Sequence, residues 1–371
     1  MATLVVSSFT PGIKSGRGLR TYGIVRALAA SGHVDVLYVR FGSHTPHRAY
    51  RDLDHVRLHE VVSSRGTRRA IAYLRARALG APPAVARGVS PDLAPAAAAL
   101  APVDGRVVAD DLMAAVALWP LSRRRPVIYS AHNLESAFRC EFDRNWGSRK
   151  TLEAFERRVL RSAAESWMPS RADLDGAAAL APGARLRLVP NVVDVDATTP
   201  VWHKPSRQVA LLVADFSYRP NRQGLDWLLH EVLPRTWRVA PQLRLLVVGR
   251  GLDHPPDADP RVTFAGYVED LAAAYASAAL AVVPLLIGGG SPLKFLEALA
   301  YGVPVVATPT AAAGLDVAAN EHYLEGDGAD GFAAAMVQGL DRSRGSAVAR
   351  AGRALVEREY SIDSIAKALA A

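Results

Sequence analysis

Cysteine is almost absent: Cys140 is the only one in 371 residues. An internal disulfide is therefore excluded, and no thiolate cluster is available for a zinc site. No apolar run approaches the ~20 residues that span a bilayer. Met1–Phe9 carries no basic stretch ahead of its apolar residues and passes straight into a strand pattern, unlike a secretory signal. A cytoplasmic location is expected. Lysine is scarce as well. Only Lys14, Lys150, Lys204, Lys294 and Lys367 stand among 44 basic residues, the others being arginine. A lysine inside a structured motif is thus not the default surface charge of this chain.

Half of the residues are apolar and 22% are charged, the balance of a folded globular chain. The length exceeds one ordinary hydrophobic core and points to two domains. Charge is unevenly spread: residues 1–190 hold 28 Lys/Arg against 16 Asp/Glu, and residues 191–371 hold 16 against 20. A basic amino-terminal half suits an acidic acceptor or an anionic membrane surface, or is simply solvated arginine. The stretch Thr67–Leu79 sets Arg68, Arg69, Arg75 and Arg77 beside Ile71, Tyr73, Leu74 and Leu79. It reads as a surface helix, either packed inward by its apolar face or lying on anionic lipid.

Short β-branched runs alternate with helical periodicity along the chain, the pattern of an α/β fold with parallel, doubly wound sheets. Strands are expected at Leu4–Val6, Val34–Val39, Val56–Val61, Arg106–Ala109, Val127–Ser130, Trp167–Pro169 and Arg187–Val189, and again at Val209–Ala214, Leu243–Val248, Val262–Ala265, Leu280–Pro284, Val303–Ala307 and His322–Leu324. Helices are expected at Asn221–Ala240, Val268–Ala276 and Pro292–Ala300 among others. The seam falls near Pro190–Asp194, giving a first Rossmann-like domain over 1–190 and a second over 191–371, with the last helix able to return to the first. Two such domains facing each other across a cleft are the expected architecture.

The densest signal lies between Gly288 and Thr308. A buried strand ends, three glycines follow, and Ser291-Pro292-Leu293-Lys294-Phe295-Leu296-Glu297 opens a helix. Open α/β sheets bind ligands at the carboxyl ends of their strands. Glycines allow close backbone approach, and a helix amino-terminus attracts a phosphate. Lys294 adds a mobile positive charge one turn in. Glu297 stands three residues on, on the same face, where a carboxylate accepts from vicinal ribose hydroxyls. A plain turn into a core helix explains the glycines and the apolar residues, but not the lysine.

The order Ser217–Asn221, Val248–Gly251, Val262–Asp270 and Gly288–Thr308 resembles that of retaining GT-B glycosyltransferases of glycosyltransferase family four. Pro190-Asn191-Val192-Val193-Asp194 resembles the family's Pro-Asn-Gly-Val-Asp hinge, with valine for glycine. Ala131-His132-Asn133-Leu134-Glu135-Ser136 and Ser15-Gly16-Arg17-Gly18-Leu19-Arg20-Thr21 resemble segments of its capsular and exopolysaccharide branch. The resemblance implies a sugar nucleotide held by the second domain. Lys294 and the amides of Gly289, Gly290 and Ser291 would take the diphosphate and Glu297 the ribose, while Tyr267 and Val268 would line the base. His132 would contact the transferred sugar, and Gly16 would meet the phosphates from across the cleft. Three positions depart from the pattern. Gly289 stands where many members carry a second glutamate, Pro292 where the branch carries arginine, and Gln223 where the family carries lysine. Arg219, or else Arg222, is the compensating cation.

The implied activity is transfer of a sugar from a nucleoside-diphosphate sugar to a hydroxyl of a glycan, glycolipid or small molecule. Configuration would be retained by a front-face route, with Lys294 and Arg219 clamping the leaving group and His132 orienting the sugar. Neither a cofactor nor a metal is implied; the adjacent Asp110 and Asp111 read as a helix cap. No nucleic-acid partner is expected. An epimerase of the same architecture and a non-catalytic nucleotide-sugar-binding protein are the rival readings. A nicotinamide enzyme is disfavoured, because Gly12–Gly18 lacks the GxGxxG order.

Overall fold

The computed structural model describes residues 1–13, 15–40, 43–137, 144–202, 208–252, 259–288 and 290–370. Cys140 and Gly289 lie outside the described residues. The chain divides into two compact units, one of Met1–Val192 with Ile365–Ala371, the other of Val193–Ser364.

The first unit is built on a seven-stranded sheet. Its strands are β1 Thr3–Ser7, β2 Val34–Arg40, β3 Val56–Val62, β4 Arg106–Asp110, β5 Ile128–Ser130, β6 Glu165–Met168 and β7 Leu186–Leu188. The order is β3-β2-β1-β4-β5-β6-β7, with every pair parallel. All five residues of β1 are buried, as a central parallel strand covered on both faces requires. Edge strand β3 buries none of its residues fully. The order reverses between β1 and β4, so the loops leaving those two strands diverge and open a crevice at their carboxyl ends. The closing segment of the chain packs in this unit. Arg187 Nη1 and Arg106 Nη1 donate to the carbonyls of Ala368 and Leu369 at 3.1 and 2.7 Å, satisfying the end of the helix Ile362–Ala370.

The second unit repeats the plan with six strands. They are β8 Val209–Val213, β9 Arg244–Val248, β10 Val262–Gly266, β11 Leu280–Val283, β12 Val305–Ala307 and β13 Leu324–Glu325. The order is β10-β9-β8-β11-β12-β13, again all parallel. Its switch point lies between β8 and β11. The period of two along β8 sorts side chains between two cores. Ala210 and Leu212 pack with Leu228, Phe332 and Met336 on one face. Leu211 and Val213 pack with Phe295, Leu296 and Leu299 on the other.

Several local readings of the sequence need correction. The single helix expected over 221–240 is a helix Arg219–Trp227, a π turn Leu228–Val232 and a helix Leu233–Val239. Pro234 has no N–H to return to the preceding turn, and its ring crowds that turn's carbonyl, so the ladder widens there. The helix expected from Val268 begins at Ala272, because the Asp270 carboxylate accepts the Ala272 N–H at 2.8 Å and holds a turn before it. Helices Pro83–Gly88 and Leu93–Leu100 were hidden by prolines that sit in their first turns, where a missing N–H is tolerated. No helix of the described residues is long and apolar enough to cross a membrane.

Candidate functional site

In the second unit the switch point brings two helix starts together. One helix, Arg219–Trp227, follows β8; the other, Leu293–Ala300, follows β11. Neither has a side-chain cap, since Tyr218 and Pro292 precede them. First-turn amides without such a cap are where an anion binds. The loop before Leu293 is held by close backbone packing. Gly290 has φ +79°, and a Cβ on Gly314 would stand 1.8 Å from its carbonyl oxygen. Ser291, half-buried, completes the turn into the helix.

Lys294 is half-buried. Its Nζ donates to Asn221 Oδ1 at 2.6 Å, and Asn221 Nδ2 in turn donates to the Asp215 carbonyl at 2.7 Å. The lysine is thereby tied to the helix that Arg219 begins. Burial pushes its pKa down to about 7, which leaves the ammonium short of counter-charge. Glu297, on the same helix face, accepts from the Tyr275 hydroxyl at 3.1 Å. Burial drives this carboxyl up to about 7, with the tyrosine bond opposing. Tyr275 is itself stacked on Tyr301, with centroids 4.3 Å apart.

The remaining residues singled out in this half lie around the same sheet end. Arg219 is exposed in the first turn of its helix and makes no side-chain hydrogen bond among the described residues. Arg222 instead donates to the Phe216 carbonyl at 3.1 Å. Gln223, at the family's lysine position, keeps a buried Oε1 without a hydrogen-bond partner. Tyr267 is 49% exposed and Val268 packs on the core, both just past β10. Asp215 at the end of β8 pairs with Arg250 at 2.6 Å. Sequence reading missed this pair. It also missed the Asn221 tether, although Asn221 closes the Ser217–Asn221 motif.

The first unit carries a separate polar cluster at its own switch point. His132 follows β5, and its Nε2 lies 3.1 Å from Asp110 Oδ1 at the end of β4. Asp110 Oδ2 accepts from Thr21 Oγ1 at 2.6 Å; Thr21 belongs to the helix Gly16–Ala29. Burial alone would raise the Asp110 carboxyl. The charge and hydrogen bond of His132, with Thr21 and Arg20, bring it below its usual value instead. An ionised Asp110 places the hydrogen of His132 on Nε2. Fully buried Arg20 donates to the Ala131 and Val189 carbonyls at 2.8 and 3.0 Å and to Asn191 Oδ1 at 3.1 Å. It thereby steadies the segment that carries His132. Gly16 is exposed at the start of its helix with open space where a Cβ would project, whereas a Cβ on Gly18 would lie 2.2 Å from the Gly12 carbonyl oxygen.

Only one of the adjacent aspartates caps a helix. Asp111 Oδ1 accepts the Ala114 N–H at 2.8 Å, while Asp110 binds His132. Asp111 has φ +103° and ψ 166°, a region that is almost glycine's alone and costs about 1–3 kcal/mol. Burial, with Asp110 alongside, raises its carboxyl to about 6 against the pull of Arg17 and His132.

Two Rossmann-like parallel-sheet units in one chain make the fold called GT-B, after the glycosyltransferases that share it. Comparison with known proteins gives the particulars. Residues 207–342 match the profile of the family described as Glycosyl transferases group 1. Among curated proteins, the chain is 32% identical over 223 residues to the GDP-mannose-dependent alpha-(1-6)-phosphatidylinositol monomannoside mannosyltransferase of Mycobacterium tuberculosis. That match covers 52% of this chain and 57% of the relative, so the chain spans little more than half the length of the curated protein it matches. Among solved structures, sucrose-phosphate synthase from Thermosynechococcus elongatus superposes with a TM-score of 0.74 at 18% identity, covering 100% of this chain and 97% of that one. Anabaena HepE in complex with UDP and glucose superposes with a TM-score of 0.69 at 14% identity, covering 99% and 98%.

Proposed function

We propose that this protein is a retaining glycosyltransferase that moves a sugar from a nucleoside-diphosphate sugar to a hydroxyl of a glycan, glycolipid or small-molecule acceptor. The observation that carries the reading is the Lys294–Asn221 tether at two uncapped helix starts, with Glu297 on the same face. It falls inside the segment that matches the glycosyltransferase family. Breaking the bond from the sugar to the diphosphate puts negative charge on the leaving oxygen. Preorganised amides at Gly290 and Ser291, with Lys294 and the exposed cation of Arg219, stabilise that charge without reorganising. Glu297 holds the ribose, and Tyr267 and Val268 flank the base. Once the diphosphate arrives, Lys294 regains the counter-charge that burial denies it.

From the first unit we assign His132 to the transferred sugar, oriented through Asp110, and Gly16 to a backbone contact with the diphosphate. Retention follows if a diphosphate oxygen takes the acceptor proton on the face from which it leaves. The reading uses no cofactor and no metal. The test is release of free nucleoside diphosphate from sugar nucleotides, with and without saccharide and glycolipid acceptors. Acceptor-dependent release with an unchanged anomeric configuration is expected. Interconversion of the sugar nucleotide without release would make the protein an epimerase.

A peripheral membrane contact belongs to the same proposal. The helix Thr67–Ala78 exposes Leu74 at 64% and Ile71 at 43%. Arginines at 68, 69, 75 and 77 surround these apolar residues, an arrangement suited to anionic headgroups. Co-sedimentation with phosphatidylglycerol vesicles but not with phosphatidylcholine vesicles is expected. Equal recovery with both would remove the membrane from the account.

A further inference from the structure

The motif that holds His132 continues through Leu134, Glu135 and Ser136, which the roles assigned above do not use. All three residues are buried, and the main-chain N–H of each donates to a carboxylate. Leu134 N–H donates to Asp173 Oδ1 at 2.8 Å, Glu135 N–H to Glu156 Oε1 at 2.7 Å and Ser136 N–H to Glu156 Oε2 at 2.9 Å. Successive N–H groups in a turn form an anion-binding concavity. Here the chain fills it with its own side chains. Asp173 lies in the first turn of the helix Arg171–Leu180. Glu156 projects from the helix Arg149–Ser162 and is 3% exposed. Burial pushes its carboxyl up to about 7; the hydrogen bonds from Ser136 and Glu135 oppose this, and the Glu135 charge adds to it. Tyr129 on β5 faces it too, held well above its usual value by burial and by Glu156. Arg149, at the start of the same helix, donates to the Ser136 and Ala137 carbonyls. A neutral acceptor would satisfy an N–H group at less cost than a buried charge. A carboxylate does what one hydroxyl or amide oxygen does not: its two coplanar oxygens grip two N–H groups at once and fix the turn's orientation. On the other side of His132, Arg20 Nε holds the Ala131 carbonyl at 2.8 Å. The histidine therefore stands between two anchored stretches of main chain.

We infer that Glu156 is a positioning residue: its ionised carboxylate clamps the turn at 135–136 and thereby sets where His132 stands. The inference rests on the glycosyltransferase reading for what His132 does, not for the clamp itself. Protonation turns one of the two carboxylate oxygens from an acceptor into a donor, so one N–H loses its partner. With the carboxyl at about 7, the clamp is engaged at pH 8 and slack at pH 6.

Glu156→Gln sets an NH2 group against one of the two N–H groups and imitates the slack state at every pH. Hydrogen exchange at the Glu135 and Ser136 amides, corrected for the intrinsic rate, reads the clamp directly. Protection in the unaltered protein should be about 10-fold higher at pH 8 than at pH 6, and low at both in Glu156→Gln. A second arm compares the affinity of the tightest-binding nucleoside diphosphate with that of its sugar nucleotide at pH 8. In Glu156→Gln the ratio should shift about 10-fold against the sugar nucleotide, with the bare diphosphate bound as before. Equal protection at the two pH values, or an unchanged ratio in a variant that thermal unfolding shows to be folded, would overturn the inference. An equal loss of both ligands would make Glu156 a purely structural residue and overturn it as well. If Glu156→Gln does not fold, exchange in the unaltered protein at the two pH values decides. If no sugar nucleotide binds the unaltered protein, the donor-site reading fails, and the exchange arm decides the inference by itself.

Discussion

Binding of a nucleoside diphosphate at pH 8 should draw protons from solution, because Lys294 waits largely uncharged for its partner. With a pKa of about 7, the lysine is about one-tenth protonated at pH 8. A diphosphate against Nζ restores the ammonium, so complex formation should take up about 0.9 proton per site. Two units lower the sign reverses. Glu297, also at about 7, is about nine-tenths protonated at pH 6 and must ionise to accept from ribose hydroxyls, releasing about 0.9 proton. The ligand's own secondary phosphate ionisation adds to that release, so uptake at pH 8 is the diagnostic quantity. Isothermal titration calorimetry in HEPES and in Tris measures it, since buffers of unlike ionisation enthalpy report the protons exchanged. Lys294→Met keeps the alkyl packing and should abolish the uptake. Uptake below about 0.3 proton, or the same uptake in Lys294→Met, would refute the assignment of this lysine to the phosphate.

Other perturbations test the supporting structure. Without ligand, stability should fall from about pH 4.5 to about 7, where the folded chain binds more protons at Glu297, and rise from about 7 to about 10.5, where the unfolded chain binds more at Lys294. Chemical denaturation across that range checks it, and Lys294→Met should flatten the upper limb. Gly314→Ala would drive a methyl to 1.8 Å from the Gly290 carbonyl oxygen, costing about 2 kcal/mol and weakening diphosphate affinity through the displaced loop. Arg353, 8% exposed, donates to the carbonyls of Val195, Thr198 and Ala300, the last residue of the Lys294 helix. Arg353→Met should cost about 3 kcal/mol, read as a lowered denaturation midpoint.

The central strands were legible because burial on both faces makes them nearly unbroken apolar runs: Leu4–Val6 and Leu280–Val283 declare themselves. β13 overlaps the expected strand His322–Leu324 only at Leu324, because two residues carry too little pattern to fix a strand's bounds. Proline misled in both directions, hiding the helix Pro83–Gly88 and, at Pro234, dividing a helix that read as continuous. At the candidate site, Lys294 and Glu297 could be read together because helical spacing is local. Asn221 and Lys294 lie 73 residues apart, and only the strand order β8–β11 makes them neighbours. Asp110 and His132 meet for the same reason through β4 and β5. Adjacent aspartates look equivalent in a sequence; the turn at Asp111 sends one to the histidine and the other to a helix start.

The central claim, that the second unit holds a nucleoside diphosphate on Lys294, is tested most directly by thermal unfolding with millimolar UDP, GDP, ADP and dTDP, for the unaltered protein and for Lys294→Ala. A ligand confined to the folded state stabilises by about 2.7 kcal/mol at a hundredfold excess over Kd. The account predicts a rise in Tm with at least one diphosphate and its loss in Lys294→Ala. No rise with any of them, or an undiminished rise in the variant, would contradict it.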